Sequence, residues 1–431
     1  MKATSTSSDL INLPVSEMAE SLVGSEIIKL AGEIKARIAQ GESIFNLTIG
    51  DFNPEIFPIP EELLEGILAK YRAQHTNYPA ANGMESLRVA VSDFMRKRQG
   101  LSYSPDEILI AGGARPLIYA AYQALVDPED IVVFPVPSWN NNHYTHLSRG
   151  KARLIMTGPE THFMPNAELL KDALNGARML ALCSPLNPTG TVFSKEQLSG
   201  ICELVLNINT ARLAKNEKPL YLLFDQIYWQ LTHGDTQHFD PVSLLPELRP
   251  FTIYIDGISK AFAATGVRVG WAMGPEKIMN KMKSILGHVG AWSPKAEQLA
   301  CAEYLEMDDA VDTYLADIKT RVMNRLNGFY QGFQDLKRDG YPVDAIAPQA
   351  AIYLTAQLHL VGMKTQEGGI LEDVAAVTDY VLREAGLAIV PFYAFGAERS
   401  STWYRISVGT AQESDAHEVC SRLRTALEKL S

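Results

Sequence analysis

Several polar groups in this chain stand directly after short apolar runs, where an amine or a carboxylate must find a partner. Residues 108–110 lead into Ala111-Gly112-Gly113-Ala114-Arg115 and then a helical pattern. Glycines at such a turn let the backbone approach a phosphate, although a tight turn by itself also uses them. Residues 131–134 run into Pro135-Val136-Pro137-Ser138-Trp139, whose indole is a buried wall unless a flat ligand stacks on it. After residues 179–183, the stiff segment Ser184-Pro185-Leu186-Asn187-Pro188-Thr189-Gly190 could aim the Asn187 amide at a ligand. Residues 221–224 end at Asp225, with Tyr228 three residues on. Desolvating a lone carboxylate is costly, so Asp225 should face a cation, in a structural ion pair or in a ligand. Residues 251–255 lead to Asp256-Gly257-Ile258-Ser259-Lys260, with Arg268 eight residues later. A single loop lysine usually faces solvent; a Ser-Lys pair followed by an arginine at the end of a sheet is a candidate for chemistry. His143 and His146 have the helical spacing of metal ligands, but no third ligand is in view and no metal is expected.

The elements that must position these groups follow from the texture. The five apolar runs alternate with helical patterns at 116–125, 167–174 and 195–205, which implies a largely parallel sheet covered on both faces. Ligands of such sheets sit beyond the carboxyl ends of the strands, where the loops above lie. Upstream, residues 25–40 have helical periodicity, with Ile27, Ile28, Leu30, Ile34 and Ile38 on or near one face. A short strand is expected at 44–49, closed by Gly50-Asp51-Phe52-Asn53-Pro54. Helical character returns over 294–336. Short strands at 352–354, 388–390 and 403–407 then mix with helices at 371–385 and 414–430. The expectation is an α/β large domain over 57–300 and a smaller α+β domain built from 1–56 and 301–431.

Composition narrows the partners. A chain of 431 residues exceeds one ordinary core, which is why two domains are expected. Its net charge of −11, with no stripe of Lys and Arg, argues against nucleic acid or an anionic membrane. Cys183, Cys202, Cys301 and Cys420 form no CxxC motif and read as free thiols in a reducing compartment. The first ten residues are Ser/Thr-rich without the apolar core of a signal peptide, and no run approaches the ~20 apolar residues of a membrane span. A cytoplasmic protein is expected.

Taken in order, Gly113-Ala114, Pro137-Ser138-Trp139, Asn187-Pro188-Thr189-Gly190, Asp225-Gln226-Ile227-Tyr228, Ser259-Lys260 and Arg268 resemble the class I aminotransferases of pyridoxal-phosphate (PLP) fold type I. That group contains the aspartate aminotransferases. The resemblance extends from about Ser25 to Leu430 and is strongest in SPLNPTG, DQIYW and SKAFAATGVRVGW. It implies pyridoxal 5′-phosphate as cofactor, held covalently by Lys260, which also moves the proton at the substrate Cα. Desolvation and cationic neighbours would lower the pKa of such an amine. Asp225 would pair with the pyridine nitrogen and strengthen the electron sink. Tyr228 and Asn187 would bond the ring oxygen, and Trp139 would stack on the ring. Arg268, Ser259 and the amides of Gly113 and Ala114 would cradle the phosphate. Tyr78 matches a tyrosine that reaches the phosphate from a neighbouring subunit, which implies a homodimer with shared sites; a packing role suits it equally. Arg405, in Trp403-Tyr404-Arg405-Ile406-Ser407, would grip the substrate α-carboxylate, with the main chain at Gly50 closing over it.

The implied activity is ping-pong transfer of an α-amino group from an amino acid to a 2-oxo acid, with aspartate, glutamate or a broader set as substrates. Three places depart from the family pattern: Pro391-Phe392-Tyr393-Ala394-Phe395-Gly396, Asp51-Phe52-Asn53 after Gly50, and Ala114 where acidic-substrate members often have lysine. They border the side-chain pocket, so the resemblance carries the cofactor chemistry and stops short of aspartate specificity. A PLP lyase or decarboxylase shares the same cofactor residues, and the Arg405 context favours transamination over it. A PLP-binding regulatory protein would have a DNA-binding domain, for which the segment before Ser25 is too short. A nicotinamide dehydrogenase would need GxGxxG after the first strand, and none is there.

Overall fold

The computed structural model describes residues 14–24 and 26–431. The Ser/Thr-rich opening and the expected helix start at Ser25 lie outside the described residues; the helix there is Glu26–Ala39. β1 (Phe45–Asn46) is followed by seven strands of one sheet: β2 (Ile108–Ala111), β3 (Ile131–Val136), β4 (Lys151–Met156), β5 (Ala177–Cys183), β6 (Tyr221–Asp225), β7 (Thr252–Gly257) and β8 (Gly270–Met273). Their order is β2-β8-β7-β6-β5-β3-β4, and only β8 runs against the others. The five expected strands are present. β4 and β8 are additional. β4 is an edge strand with mostly exposed side chains, so Lys-Ala-Arg-Leu-Ile-Met lacks a continuous apolar run. β8 opens on a glycine and continues the stretch that follows Lys260.

Register sets the site. Cys183 of β5 lies opposite Asp225 of β6, and Asp225 lies opposite Ile255 of β7. These three parallel neighbours therefore deliver the Asn187, Asp225–Tyr228 and Ser259–Lys260 loops to one edge of the sheet. Apolar side chains cover both faces: one cluster joins Leu182, Phe224 and Tyr254 to the long helix Asp308–Arg338, and another joins Ala181, Leu223 and Ile255 to the helices Ala114–Leu125 and Glu276–Val289.

The expected helix over 294–336 is two helices, Lys295–Leu305 and Asp308–Arg338, broken at Glu306-Met307. The expected helix over 195–205 runs on to Ala214, and Ser194 and Gln197 form its capping box. Beyond the long helix, β9 (Val343–Ala345), β10 (Tyr353–Leu358), β11 (Leu387–Ala388), β12 (Val390–Pro391) and β13 (Trp403–Ser407) follow. β12-β13-β10-β9 form an antiparallel sheet, while β11 pairs with β1. The strand expected over 44–49 shortens to two residues because its carbonyls then turn elsewhere: Leu47 O accepts from Ser407 N–H and Thr48 O from Arg405.

Three glycines let main chains touch behind the site. A Cβ on Gly270 would lie 2.6 Å from the Gly113 carbonyl carbon and 2.9 Å from Ala114 N, and one on Gly257 would lie 2.8 Å from Gly270 Cα. All three obstacles are backbone, so no side chain can rotate away. Gly270→Ala should therefore destabilise the protein by about 1–3 kcal/mol, read from the denaturant midpoint. A midpoint equal to the parent's would show that this contact is slack.

Candidate active site

Lys260 sits in the short helix Ile258–Ala261 that follows β7, and its Nζ donates to Gly50 O at 2.7 Å. Burial pulls the amine down to about 8; Arg405, Arg115 and Arg268 add to the depression and Asp51 opposes it. Asp225, closing β6, accepts from the Ile227 N–H at 3.1 Å. Burial pushes its carboxyl up to about 6, with the Ile227 amide and Lys260 pulling the other way. The Tyr228 ring centroid is 5.8 Å from Lys260 Nζ, and its hydroxyl is 2.5 Å from the Tyr353 hydroxyl. An amine able to shed its proton near neutrality thus stands beside a carboxylate short of partners.

Arg405 rises from β13 and is only 1% exposed. Its guanidinium lies between the rings of Tyr353 and Phe395, 4.8 Å from each centroid. Nη1 donates to Asn187 Oδ1 at 2.9 Å and Nη2 to Thr48 O at 2.6 Å, while the buried Nε has no partner. Gly50 passes so close that a Cβ there would be 2.8 Å from the Tyr353 hydroxyl and 3.4 Å from Arg405 Nη1. Asn187 thus serves Arg405 through its oxygen, leaving its amide N–H2 for a ligand.

A cradle for an anion forms nearby. Gly113, with φ of 96°, caps the helix Ala114–Leu125, and no side chain occupies the cap. A Cβ at Gly113 would collide with the Arg268 guanidinium, which donates to Gly112 O at 2.7 Å and Thr265 O at 2.5 Å. Ser259, two residues after Gly257, is buried beside Lys260 in the sequence. Trp139 packs 6.3 Å from Phe395, with the Arg115 guanidinium 5.1 Å over its ring.

The structure gathers Gly50, Asn187, Tyr228, Lys260 and Arg405 around Tyr353, and Gly113, Ala114 and Arg268 at the helix start. Tyr78 stands apart: it is 81% exposed and touches Trp292 edge-on at 5.3 Å. His146 Nε2 lies 2.9 Å from Met18 O, and the described residues hold no cluster of three metal-type ligands. Sequence reasoning missed Tyr353, Thr48 and Thr265. Tyr353 carries no motif, being one of several apolar residues in a strand. Thr48 acts through its backbone oxygen, and Thr265 through its backbone oxygen to Arg268 and its hydroxyl to Asp51, which no motif reveals.

A parallel sheet whose strand ends present this amine, carboxylate and anion cradle defines an enzyme of PLP fold type I. The chain belongs to the aminotransferases of class I and II: that family's profile matches residues 42–423. It is 26% identical over 422 residues to the aspartate aminotransferase of Bacillus subtilis, covering 97% of this chain and 100% of that protein. It is 28% identical over 420 residues to a bifunctional aspartate aminotransferase and glutamate/aspartate-prephenate aminotransferase of Petunia hybrida, covering 97% and 83%. Among solved structures, the aspartate aminotransferase of Rhizobium meliloti superposes with a TM-score of 0.86 at 26% identity, covering 97% of this chain and 100% of that one. The family's cofactor is pyridoxal 5′-phosphate, and the residues fit it. Among the described residues the Asp225 carboxyl makes no ion pair, and no side chain caps the Gly113 helix start.

If the Lys260 amine is desolvated as the structure has it, its acylation in the cofactor-free protein should be half-maximal near pH 8, against about 10.4 for an ordinary lysine. Peptide mass spectrometry of labelling rates against pH measures this. A midpoint near 10 would place the amine in water.

Proposed function

We propose that this aminotransferase carries an α-amino group from an amino acid to a 2-oxo acid in two half-reactions, with Lys260, Asp225 and Arg405 as its central residues. The observation that carries the reading is Arg405: a guanidinium 1% exposed, without an ion pair among the described residues and with Nε unpartnered. A buried cation left without an anion is costly, and a planar carboxylate is the ligand its fork suits.

When bound, the cofactor supplies an aldehyde for the amine and an electron sink at Cα. Lys260 would hold it and, as the free amine, would move the proton at the substrate Cα. Asp225 would keep the ring nitrogen protonated, while Tyr228 and the Asn187 amide would steady the ring oxygen. Trp139 would give the ring a flat wall, and Gly113, Ala114, Ser259 and Arg268 would take the phosphate. Gly50 narrows the space above the carboxylate. Both half-reactions share one carboxylate clamp, because amino acid and 2-oxo acid differ at Cα and agree at the carboxylate.

Aspartate and glutamate suit the relatives' names and the exposed Arg115 guanidinium, while Phe395 and Trp139 offer an apolar wall to a broader set. The exposure of Tyr78 supports a homodimer in which it completes the neighbour's site. The long helix Asp308–Arg338 and the separate antiparallel sheet support a small domain of 1–56 and 301–431 beside a large one of 57–300. No helix among the described residues is long and apolar enough to cross a membrane, and the four cysteines are free, which supports a cytoplasmic location.

Lys260→Ala should abolish turnover, and borohydride reduction of the parent holoenzyme should leave a pyridoxyl label on the peptide containing Lys260. A label on another lysine sinks the assignment.

Arg405→Lys keeps the charge and loses the fork. Charge-assisted hydrogen bonds contribute about 1.5–3 kcal/mol, so kcat/KM should fall by roughly tenfold or more for every amino acid tried, with little change in cofactor affinity. Unchanged half-reaction rates with a lowered melting temperature would make Arg405 a structural residue.

A further inference from the structure

We propose that Asp256 is a positioning residue that clamps the turn bearing Asp225 and Tyr228 to the turn bearing Lys260. The inference rests on the assignment of Asp225 and Lys260 above.

Asp225 and Gln226 are consecutive at the end of β6, so their side chains leave opposite faces of the sheet. Asp225 belongs to the site; Gln226 points behind it. Asp256, the next-to-last residue of β7, lies on that rear side and is fully buried. Its Oδ1 accepts from its neighbour Gly257 N–H at 2.7 Å. Its Oδ2 accepts from the Trp229 indole N–H at 2.7 Å and, more weakly, from Gln226 Nε2 at 3.4 Å. Gly257 starts the turn that ends in Lys260, whereas Gln226 and Trp229 flank Tyr228. One carboxylate thus joins the two segments that carry the chemistry.

Every partner is a donor. Two acceptor oxygens satisfy them all, and an amide in the same place would turn an N–H2 toward one of those N–H groups. Gln226 is held in turn by Gln99 Oε1 at 2.8 Å and faces His238 Nε2 at 3.4 Å, while the His238 ring packs 6.3 Å from Trp229. The brace therefore has its own backing. Burial pushes the Asp256 carboxyl up to about 8, the three donors pull it down, and the charge of Asp225 adds to the rise. At pH 9 the group is the acceptor-only carboxylate.

The test compares parent, Asp256→Asn and Trp229→Phe holoenzymes at pH 9. Three readings are taken: kcat and KM separately, cofactor retained after dialysis, and the pH midpoint of the bound cofactor's absorbance. Asp256→Asn should lower kcat on the order of tenfold or more, the range expected from losing a charge-assisted hydrogen bond, with KM changed much less. The absorbance midpoint should shift, because the turns that carry Lys260 and Asp225 would no longer be tied through Asp256. Trp229→Phe removes one donor and keeps an aromatic ring, so it should move the same readings in the same direction by less. It also keeps the proposal testable if Asp256→Asn fails to fold. Both variants retaining the parent's kcat and midpoint, or losing only melting temperature, would overturn the clamp. Borohydride labelling of the parent separates the two failures: no label on Lys260 removes the underlying assignment, whereas a labelled Lys260 with indifferent variants removes Asp256 alone.

Discussion

An amine can serve as base and nucleophile near neutral pH only where its ammonium form is poorly solvated, and this constraint shapes the structure around Lys260. Burial alone would leave a lysine side chain free to swing toward water. Here the Nζ is fixed by the Gly50 carbonyl, and three arginines discourage the charged form without pairing with it. The same scarcity of water acts in reverse on Asp225, whose carboxyl is pushed up and short of partners. Two opposite shifts at the ends of adjacent strands are what a site needs to hold a proton on one group and release it from another. Rigid placement is then essential, since neither group has enough hydrogen bonds of its own to stay put. The parallel register of β5, β6 and β7 gives that rigidity, and the contact of Gly257, Gly270 and Gly113 brings the anion cradle to the same edge.

The sequence was most legible where burial was uniform. Strands covered on both faces read as apolar runs, which is why β2, β3, β5, β6 and β7 stood out and their loops could be searched for chemistry. β4, at the edge, and β8, opening on a glycine, lack that signature. The Lys260, Asp225 and Asn187 loops were readable from their positions after those runs. Arg405 was different: nothing in Trp403-Tyr404-Arg405-Ile406-Ser407 says that this arginine is buried, and only family resemblance singled it out. Tyr353 escaped both routes. Its role comes from tertiary neighbours distant in sequence, the Tyr228 hydroxyl before it and the Arg405 guanidinium on the paired strand after it. The break at Glu306-Met307 was likewise invisible, because helical residues continue on both sides of it.

The segment from Leu47 to Asn53 explains how distant pieces act as one site. Leu47 O accepts from Ser407 N–H, Thr48 O from Arg405, and Gly50 O from Lys260. The Thr265 hydroxyl donates to Asp51 Oδ1 at 2.6 Å, and Asn53 N–H donates to Gly409 O at 2.9 Å. One extended stretch therefore bonds alternately to the antiparallel sheet and to the loop beyond β7. Three of these five bonds use main-chain carbonyls that any residue could supply, whereas Asp51 contributes its carboxylate and Gly50 has no room for a Cβ beside Tyr353. A cofactor bonded to Lys260 Nζ would leave that nitrogen fewer N–H groups and would compete with Gly50 O for them. Attachment at Lys260 would therefore act on the same strap that carries Thr48, the acceptor for Arg405. The acceptors for Lys260 and Arg405 are thus joined by three residues of backbone, Thr48 to Gly50, and both are main-chain carbonyls.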